Sequence, residues 1–405
     1  MIYLISIGTF SAVILLLVVL LLFVESRVAQ KGESRIAVNG DRENELSVRT
    51  GTSLLSALNA NGIYLPSACG GSGSCGQCKC NVSDGGGDIL PTELPHLSRS
   101  EKKENIRLAC QLKIREDLDI EIPPEILAIE KYQAAVVSNR CIGTFIKELA
   151  VSIQDGRELS FEPGQYMQID IPAYRVSFSD FDIPEPFKQT WDRFDLWKLE
   201  AANEEPIYRA YSLANPPSEP DPLMFTVRIA TPPPDMPGAP PGVGSSYIFS
   251  LKQGDKVSVS GPFGNFRVKQ TSREMCFIGG GAGMAPLRGQ IREQLLAKKT
   301  KRTASFWYGA RNSQEMLYDE EFRKLDADFE NFSYHAALSE PMPEDNWEGM
   351  RGFIHQSLEE HFLRPHPDPS EVEYYLCGPP MMLRACLKTL DDYGVEPELI
   401  DYDEF

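Results

Sequence analysis

Four cysteines carry the most specific chemistry in this chain. The segment SACGGSGSCGQCKC sets Cys69, Cys75 and Cys78 at C-x5-C-x2-C, and Cys110 follows after a long gap. A [2Fe–2S] centre takes four thiolates, two per iron. Gly70, Gly71, Gly73 and Gly76 let the loop wrap closely and aim N–H groups at sulfur. A four-cysteine zinc site is the competing reading, but zinc ligands usually come as two close pairs. Here three ligands share one loop and the fourth is remote, which favours iron. Cys80 reads as a small apolar strand residue instead of a ligand. The nine cysteines are odd in number and otherwise scattered, so they form no disulfide framework.

Two further groups of residues could hold nucleotide-like cofactors. Arg209-Ala210-Tyr211-Ser212 offers a cation for phosphates, a flat ring to cover a flavin and a hydroxyl near its reactive nitrogen. Alone, so short a motif is equally an ordinary strand. Downstream, Gly242, Ser245 and Ser246 precede the apolar run YIFSL, so a helix N-terminus there would face a pyrophosphate. Gly261-Pro262-Phe263-Gly264 marks a tight turn. The run Gly279-Gly280-Gly281-Ala282-Gly283-Met284-Ala285-Pro286 follows a strand-like segment and opens a helix, which again suits a pyrophosphate. Cys377-Gly378-Pro379-Pro380 stands between a strand and a helix, where open α/β sheets bind ligands.

In this order, RxYS, GxxS, GPFG, the glycine loop and CGPP resemble the ferredoxin–NADP⁺ reductase superfamily over roughly residues 130–405. The resemblance implies that Arg209 binds FAD phosphates, Tyr211 stacks on the isoalloxazine and Ser212 lies near its N5. It also implies that Gly281, Gly283 and Pro286 form the nicotinamide loop. Cys377 and Gly378 then sit beside the reactive nicotinamide carbon, and the terminal Phe405 gates access to the flavin. Tyr308-Gly309-Ala310-Arg311 would border the adenosine. With no basic pair beyond Arg311 for a 2′-phosphate, NADH is expected over NADPH. The C-x5-C-x2-C spacing resembles adrenodoxin-like ferredoxins. The whole domain order resembles the F-subunit family of bacterial Na⁺-translocating NADH:quinone oxidoreductases. That implies other membrane subunits of such a complex as partners, quinone as final acceptor and a place in the bacterial inner membrane. A soluble oxygenase reductase component can share the domain order, but typically shows C-x4-C-x2-C and no anchor. A membrane-tethered carrier without NADH activity is the non-catalytic alternative.

The elements that must position these residues divide the chain. Ile2 to Val24 is a run of 23 uncharged residues. At about 1.5 Å per residue, a helix of that length crosses a hydrocarbon layer of about 30 Å. It lacks the basic start and short apolar core of a signal peptide. Arg27, Lys31 and Arg35 follow, which places the rest in the cytoplasm. The expected organisation is an anchor over 1–25 and an α+β, β-grasp-like ferredoxin domain over 33–128. An antiparallel β-barrel flavin domain over 129–270 follows, then a doubly wound parallel α/β domain over 271–405. In the ferredoxin part, Thr52 is the expected cap of a helix over SLLSALNA. Within the barrel, 173–206 reads as an aromatic-rich insertion that either contacts membrane or partner, or packs on the barrel. The net charge of −18 argues against nucleic-acid binding. The five histidines show no ligand spacing.

Overall fold

The computed structural model describes residues 10–11, 14–19, 32–154, 156–233, 235–236 and 238–404. Most of the expected anchor over 1–25 lies outside these residues, as does Phe405. Residues 10–11 and 14–19 are helical with exposed apolar side chains, Phe10 and Leu15 to Val19 among them. Among the described residues no helix is long and apolar enough to cross a membrane. The chain divides into two units, Met1–Ile129 and Glu130–Phe405.

The first unit is built on five strands: β1 (Glu33–Val38), β2 (Asp41–Arg49), β3 (Lys79–Asp84), β4 (Ile106–Leu108) and β5 (Leu118–Glu121). Their order is β2-β1-β5-β3-β4, with β1 and β5 parallel and the other pairs antiparallel. Helix α1 (Leu54–Ala60) lays Leu54, Leu55, Ala57 and Leu58 into the core. Its cap is Ser53, whose hydroxyl accepts from Ser56 N–H. The expected cap, Thr52, is one residue too early, because its hydroxyl donates to the Arg49 carbonyl at 2.7 Å. Asn61 and Gly62 end the helix, Gly62 with a positive φ of 81°.

The second unit opens with a six-stranded antiparallel sheet. Its strands are β6 (Glu130–Gly143), β7 (Ile146–Ile153), β8 (Tyr166–Ile171), β11 (Ile207–Ser212), β12 (Leu223–Arg228) and β13 (Lys256–Phe263). The order is β11-β8-β13-β6-β7-β12, and one bridge, Leu213 to Phe225, links the two ends. Its inner face gathers Val136, Leu149, Val151, Met167, Ile169, Phe225 and Val259.

The aromatic insertion leaves the sheet after β8 as β9 (Tyr174–Ser177), forms helix α2 (Glu185–Arg193), and returns as β10 (Glu200–Asn203), paired with β9. Its aromatics turn inward. Phe178, Phe181, Trp191 and Leu196 form one buried cluster with Phe145, Ile229 and Phe249 of the barrel. Trp191 is fully buried and donates from Nε1 to the Thr144 carbonyl at 2.8 Å. Of the two uses open for this segment, packing on the barrel is the one formed. Phe194 is the exception, at 51% exposure.

The last part is a parallel sheet of β14 (Met275–Gly280), β15 (Ala304–Ala310), β16 (Phe332–Leu338), β17 (Met350–Arg351), β18 (Glu373–Gly378) and β19 (Ile400–Glu404). All neighbours pair in parallel in the order β17-β16-β15-β14-β18-β19. Successive residues of β14 serve opposite cores. Met275 and Phe277 face one, Cys276 and Ile278 the other, so both faces are covered. The chain starts in the middle at β14 and later crosses to β18 on its other side. That reversal makes the carboxyl end of β14 a topological switch point, where such sheets bind ligands.

Trp191→Ala should lower the stability of the second unit by about 3–5 kcal/mol, the usual effect of deleting a buried aromatic. Calorimetric unfolding of the variant checks this. A change below about 1 kcal/mol would mean that the cluster does not hold the insertion.

Candidate cofactor sites

The cysteine loop runs from the end of α1 to β3. Gly70, Gly71, Gly73 and Gly76 all take positive φ, so the chain coils back on itself around the thiols. Gly76 is further constrained, since a Cβ there would lie 2.7 Å from the His96 ring. The sulfurs fall into two pairs. Cys75 and Cys69 sulfurs are 3.3 Å apart, and Cys78 and Cys110 lie close enough to shift each other's titration. Gln111 Nε2 donates to Cys110 Sγ at 3.5 Å. In each pair one thiol is pushed toward thiolate and its partner away from it. The Cys75 thiol lowers Cys69 and the Cys78 thiol lowers Cys110, while Cys75 and Cys78 are raised in return. Two dithiol pairs match two irons with two ligands each, better than one tetrahedral zinc with four.

Cys110 is held by an ion pair that sequence reading missed. Arg107, three residues before it, forks onto Glu93, with Nη2 to Oε2 at 2.7 Å and Nε to Oε1 at 3.0 Å. Glu93 also accepts from the amides of Leu90 and Leu108, and both ionic side chains are buried. Burial alone would raise the Glu93 carboxyl, but the guanidinium and the two amides outweigh it and hold the pKa low. Cys80, in β3, is buried beside this pair and takes no part in the thiol pairs.

In the second unit, β11 carries Arg209, Tyr211 and Ser212 and pairs with β8. Helix α3 (Val243–Ser250) points its N-terminus, capped by Gly242 with no side-chain bond, at this strand. A Cβ on Gly244 would lie 2.8 Å from both Arg209 Cγ and Tyr211 Oη. Three features match a flavin with phosphates. Ser212 Oγ is buried with no hydrogen-bond partner. The Ser246 hydroxyl, beside the Tyr174 phenol, is buried with no hydrogen bond of good geometry. Arg209 spends one N–H on the Tyr208 carbonyl and forms no ion pair among the described residues. Ser245 is different: it accepts from Ala230 N–H at 3.0 Å and donates to the Gly242 carbonyl at 3.1 Å. Its hydroxyl shapes the loop.

At the switch point, Gly281–Gly283 turns from β14 into helix α4 (Met284–Arg292), which has no side-chain cap and buries Pro286 in its first turn. A Cβ on Gly283 would lie 2.1 Å from the Cys377 carbonyl oxygen, so the two loops touch through bare backbone. Gly378 approaches the Gly280 carbonyl in the same way, at 3.1 Å for a Cβ. Cys377 is fully buried, and burial pushes its thiol well above the usual range. Helix α4 also packs on the segment that follows β11: a Cβ on Gly289 would sit 3.1 Å from the Asn215 carbonyl and 3.6 Å from that of Leu213. Arg288 donates to the Ala214 carbonyl at 2.9 Å and pairs with Glu321. Strand β12 runs beside the Gly281–Gly283 turn and ends in Arg228, a cation close enough to Arg311 to be repelled by it. Arg228 was not singled out in the sequence because a strand-terminal arginine carries no motif. Arg311 lies over the Phe145 ring at 5.4 Å.

Three family models match in succession: a 2Fe-2S iron-sulfur cluster binding domain over 36–115, an oxidoreductase FAD-binding domain over 196–268 and an oxidoreductase NAD-binding domain over 277–388. The chain is 50% identical over 400 residues to the F subunit of a Na(+)-translocating NADH-quinone reductase of Serratia proteamaculans, covering 99% of this chain and 98% of the relative. The same protein of Haemophilus ducreyi is 50% identical over 403 residues, covering 100% and 98%. The chain belongs to the F-subunit family of Na(+)-translocating NADH-quinone reductases. Solved structures similar to this family member include the ferredoxin reductase of a carbazole 1,9a-dioxygenase, with TM-score 0.59 and 26% identity over 92% of this chain and 98% of that one. A cytochrome P450 reductase of Amycolatopsis shares the fold at TM-score 0.63 and 24% identity, with 92% and 98% covered. The F-subunit family and the oxygenase reductases thus share one fold, and the sequence identity is what separates them.

Gly283→Ala should push the two nucleotide loops apart. NADH oxidation with ferricyanide should fall by about tenfold or more, with flavin content unchanged. Glu93 gives a pH prediction. Its folded pKa lies below its unfolded one, so its stabilising contribution is present above the unfolded value of about 4.3 and is lost as pH falls through the folded value. In acid unfolding followed by circular dichroism, Glu93→Gln should flatten that part of the profile for the first unit.

Proposed function

We propose that this chain is the NADH-oxidising, electron-input subunit of a membrane Na⁺-translocating NADH:quinone reductase. The observation that carries this reading is the contact of the nicotinamide-loop helix with the segment that follows the RxYS strand, Gly289 against Leu213 and Asn215. It brings a dinucleotide site and a flavin site onto one wall. FAD held by these residues would supply hydride acceptance from NADH, and the two-iron cluster would supply one-electron acceptance.

The residues divide the work of binding and orientation. Arg209 and the open end of α3, with Gly242 and Ser246, hold the flavin phosphates. Tyr211 covers the ring, and Ser212 offers its free hydroxyl to the reactive edge. The Gly281–Gly283 turn and the first turn of α4 hold the NADH pyrophosphate, with Arg228 as a supporting cation. Cys377, a buried neutral thiol, would stand beside the nicotinamide. No side chain here is required as a general base, because a hydride carries its own electron pair. Cys69, Cys75, Cys78 and Cys110 hold the cluster.

The uncharged run from Ile2 to Val24 anchors the chain in the bacterial inner membrane, with the domains over 33–128, 129–270 and 271–405 in the cytoplasm. Other subunits of the complex receive the electrons, and quinone takes them last. The fold shared with oxygenase reductases supports a second reading, in which the acceptor is an oxygenase. Quinone reduction by the assembled membrane complex separates the two.

Reduction of the full-length protein with NADH should bleach the flavin band and give a reduced [2Fe–2S] signal by electron paramagnetic resonance. Cys110→Ser should abolish that signal and leave the bleaching. Bound zinc with no such signal in the parent protein would sink the proposal.

A further inference from the structure

The second unit holds a lysine whose position none of the roles above explains. Lys147, on β7, is 2% exposed. Its ammonium donates to the Phe249 carbonyl at 3.1 Å and lies 5.3 Å from the centre of the Phe249 ring. Its other charged or titratable neighbours are Cys141 and Asp182. A cation taken this far from water is costly, and an apolar residue of similar length would fill the same space. What the cation touches is the carboxyl-terminal end of α3, the short helix whose other end faces the flavin phosphates.

That helix has only eight residues and cannot hold its own shape. It is gripped at its carboxyl end by groups remote from the proposed flavin site, and at its amino end by Tyr174, whose phenol also lies beside the Ser246 hydroxyl. At the carboxyl end, Lys147 takes the Phe249 carbonyl, and Asn139 Nδ2 takes those of Ile248 and Leu251 at 2.7 and 2.8 Å. A cation there complements the helix dipole, while an anion at the amino end complements it from the other side. At the amino end, the Tyr174 hydroxyl donates to the Val243 carbonyl. Tyr174 belongs to the aromatic insertion, which also places Phe181 and Trp191 rings 5.8 and 6.4 Å from the Phe249 ring. The register so fixed is the one that seats Gly244 against Arg209 and Tyr211.

We infer that Lys147 and the 174–203 insertion form a clamp that presets the flavin-phosphate helix, and that both are positioning elements for FAD binding. The inference rests on the flavin reading of that helix. It gives the insertion an internal task.

The test is FAD titration of flavin-stripped, full-length protein, read by quenching of flavin fluorescence. Lys147→Met keeps the length and removes the charge; Tyr174→Phe removes one hydroxyl and is the milder change. The expected result is a Kd raised about tenfold or more by the first and about threefold by the second. The thermal midpoint of the flavin-free protein and the [2Fe–2S] resonance should stay as in the parent. A Kd within about twofold of the parent in both variants would overturn the clamp. So would a lowered midpoint of the flavin-free protein with Kd unchanged, because that is plain packing. If the parent itself bound no FAD, the flavin reading would fail first.

Discussion

Elements can approach this closely only where one of them carries no side chain, and the second unit holds three glycines at such contacts. Gly283 lies on the Cys377 carbonyl, Gly289 on the carbonyls of Leu213 and Asn215, and Gly244 on Arg209 and Tyr211. The first joins the two nucleotide loops at the switch point of the parallel sheet. The second presses the nucleotide helix onto the segment that follows the flavin strand. The third seats the phosphate helix on that strand from the barrel side. A hydride transfers only between atoms already in near contact, so these approaches decide whether the sites can cooperate. A methyl group at Gly283 would meet backbone at 2.1 Å and force the two loops apart, whereas at Gly289 the neighbour need give only a few tenths of an ångström and at Gly244 the Arg209 and Tyr211 side chains are what it meets.

Polar groups lock the same junction. Arg288 and Arg292 of α4 share Glu321, and Arg288 also reaches the Ala214 carbonyl. From the parallel-sheet side, the Tyr318 hydroxyl donates to Glu148 of β7 at 2.7 Å, and Arg140 pairs with the same carboxylate. Arg288 stacks on the Tyr318 ring at 4.5 Å. These groups are directional where the apolar cores are not. They fix the angle between barrel and sheet, while Phe266, Met284 and Leu287 supply the burial.

How much of this was legible depended on how far each residue's neighbours lie along the chain. The thiol loop could be read because sulfur and glycine are irreplaceable at their spacing, and RxYS and the glycine loop because each is local. The cap of α1 slipped by one residue. Thr52 and Ser53 are both good caps, and Thr52 was taken by a carbonyl upstream. The Glu93–Arg107 pair joins residues 14 apart with a short helix between them, and no pattern marks it. Ile146 to Val151 of β7 are all buried, on both faces of the strand. Lys147 and Glu148 therefore sit inside, where strand periodicity places solvent. Aromatic content alone fitted the insertion equally to a membrane, a partner or the barrel. Only the three-dimensional neighbours Phe145, Ile229 and Phe249 distinguish them.

The insertion's point of entry explains why so large an excursion is tolerated. It leaves after β8 and returns before β11, and those two strands are hydrogen-bonded neighbours from Ile171–Ile207 to Tyr166–Ser212. The barrel already holds its ends together, so closing the loop adds little entropy loss beyond that of the ordered residues. Burial of Phe178, Phe181 and Trp191 offsets that loss without help from any cofactor. The segment thus supplies Tyr174 and the Phe249 contacts to a helix too short to stand alone. In this arrangement the flavin strand β11 begins where the insertion ends, so the element that carries Arg209 and the element that braces its partner helix are consecutive in the chain.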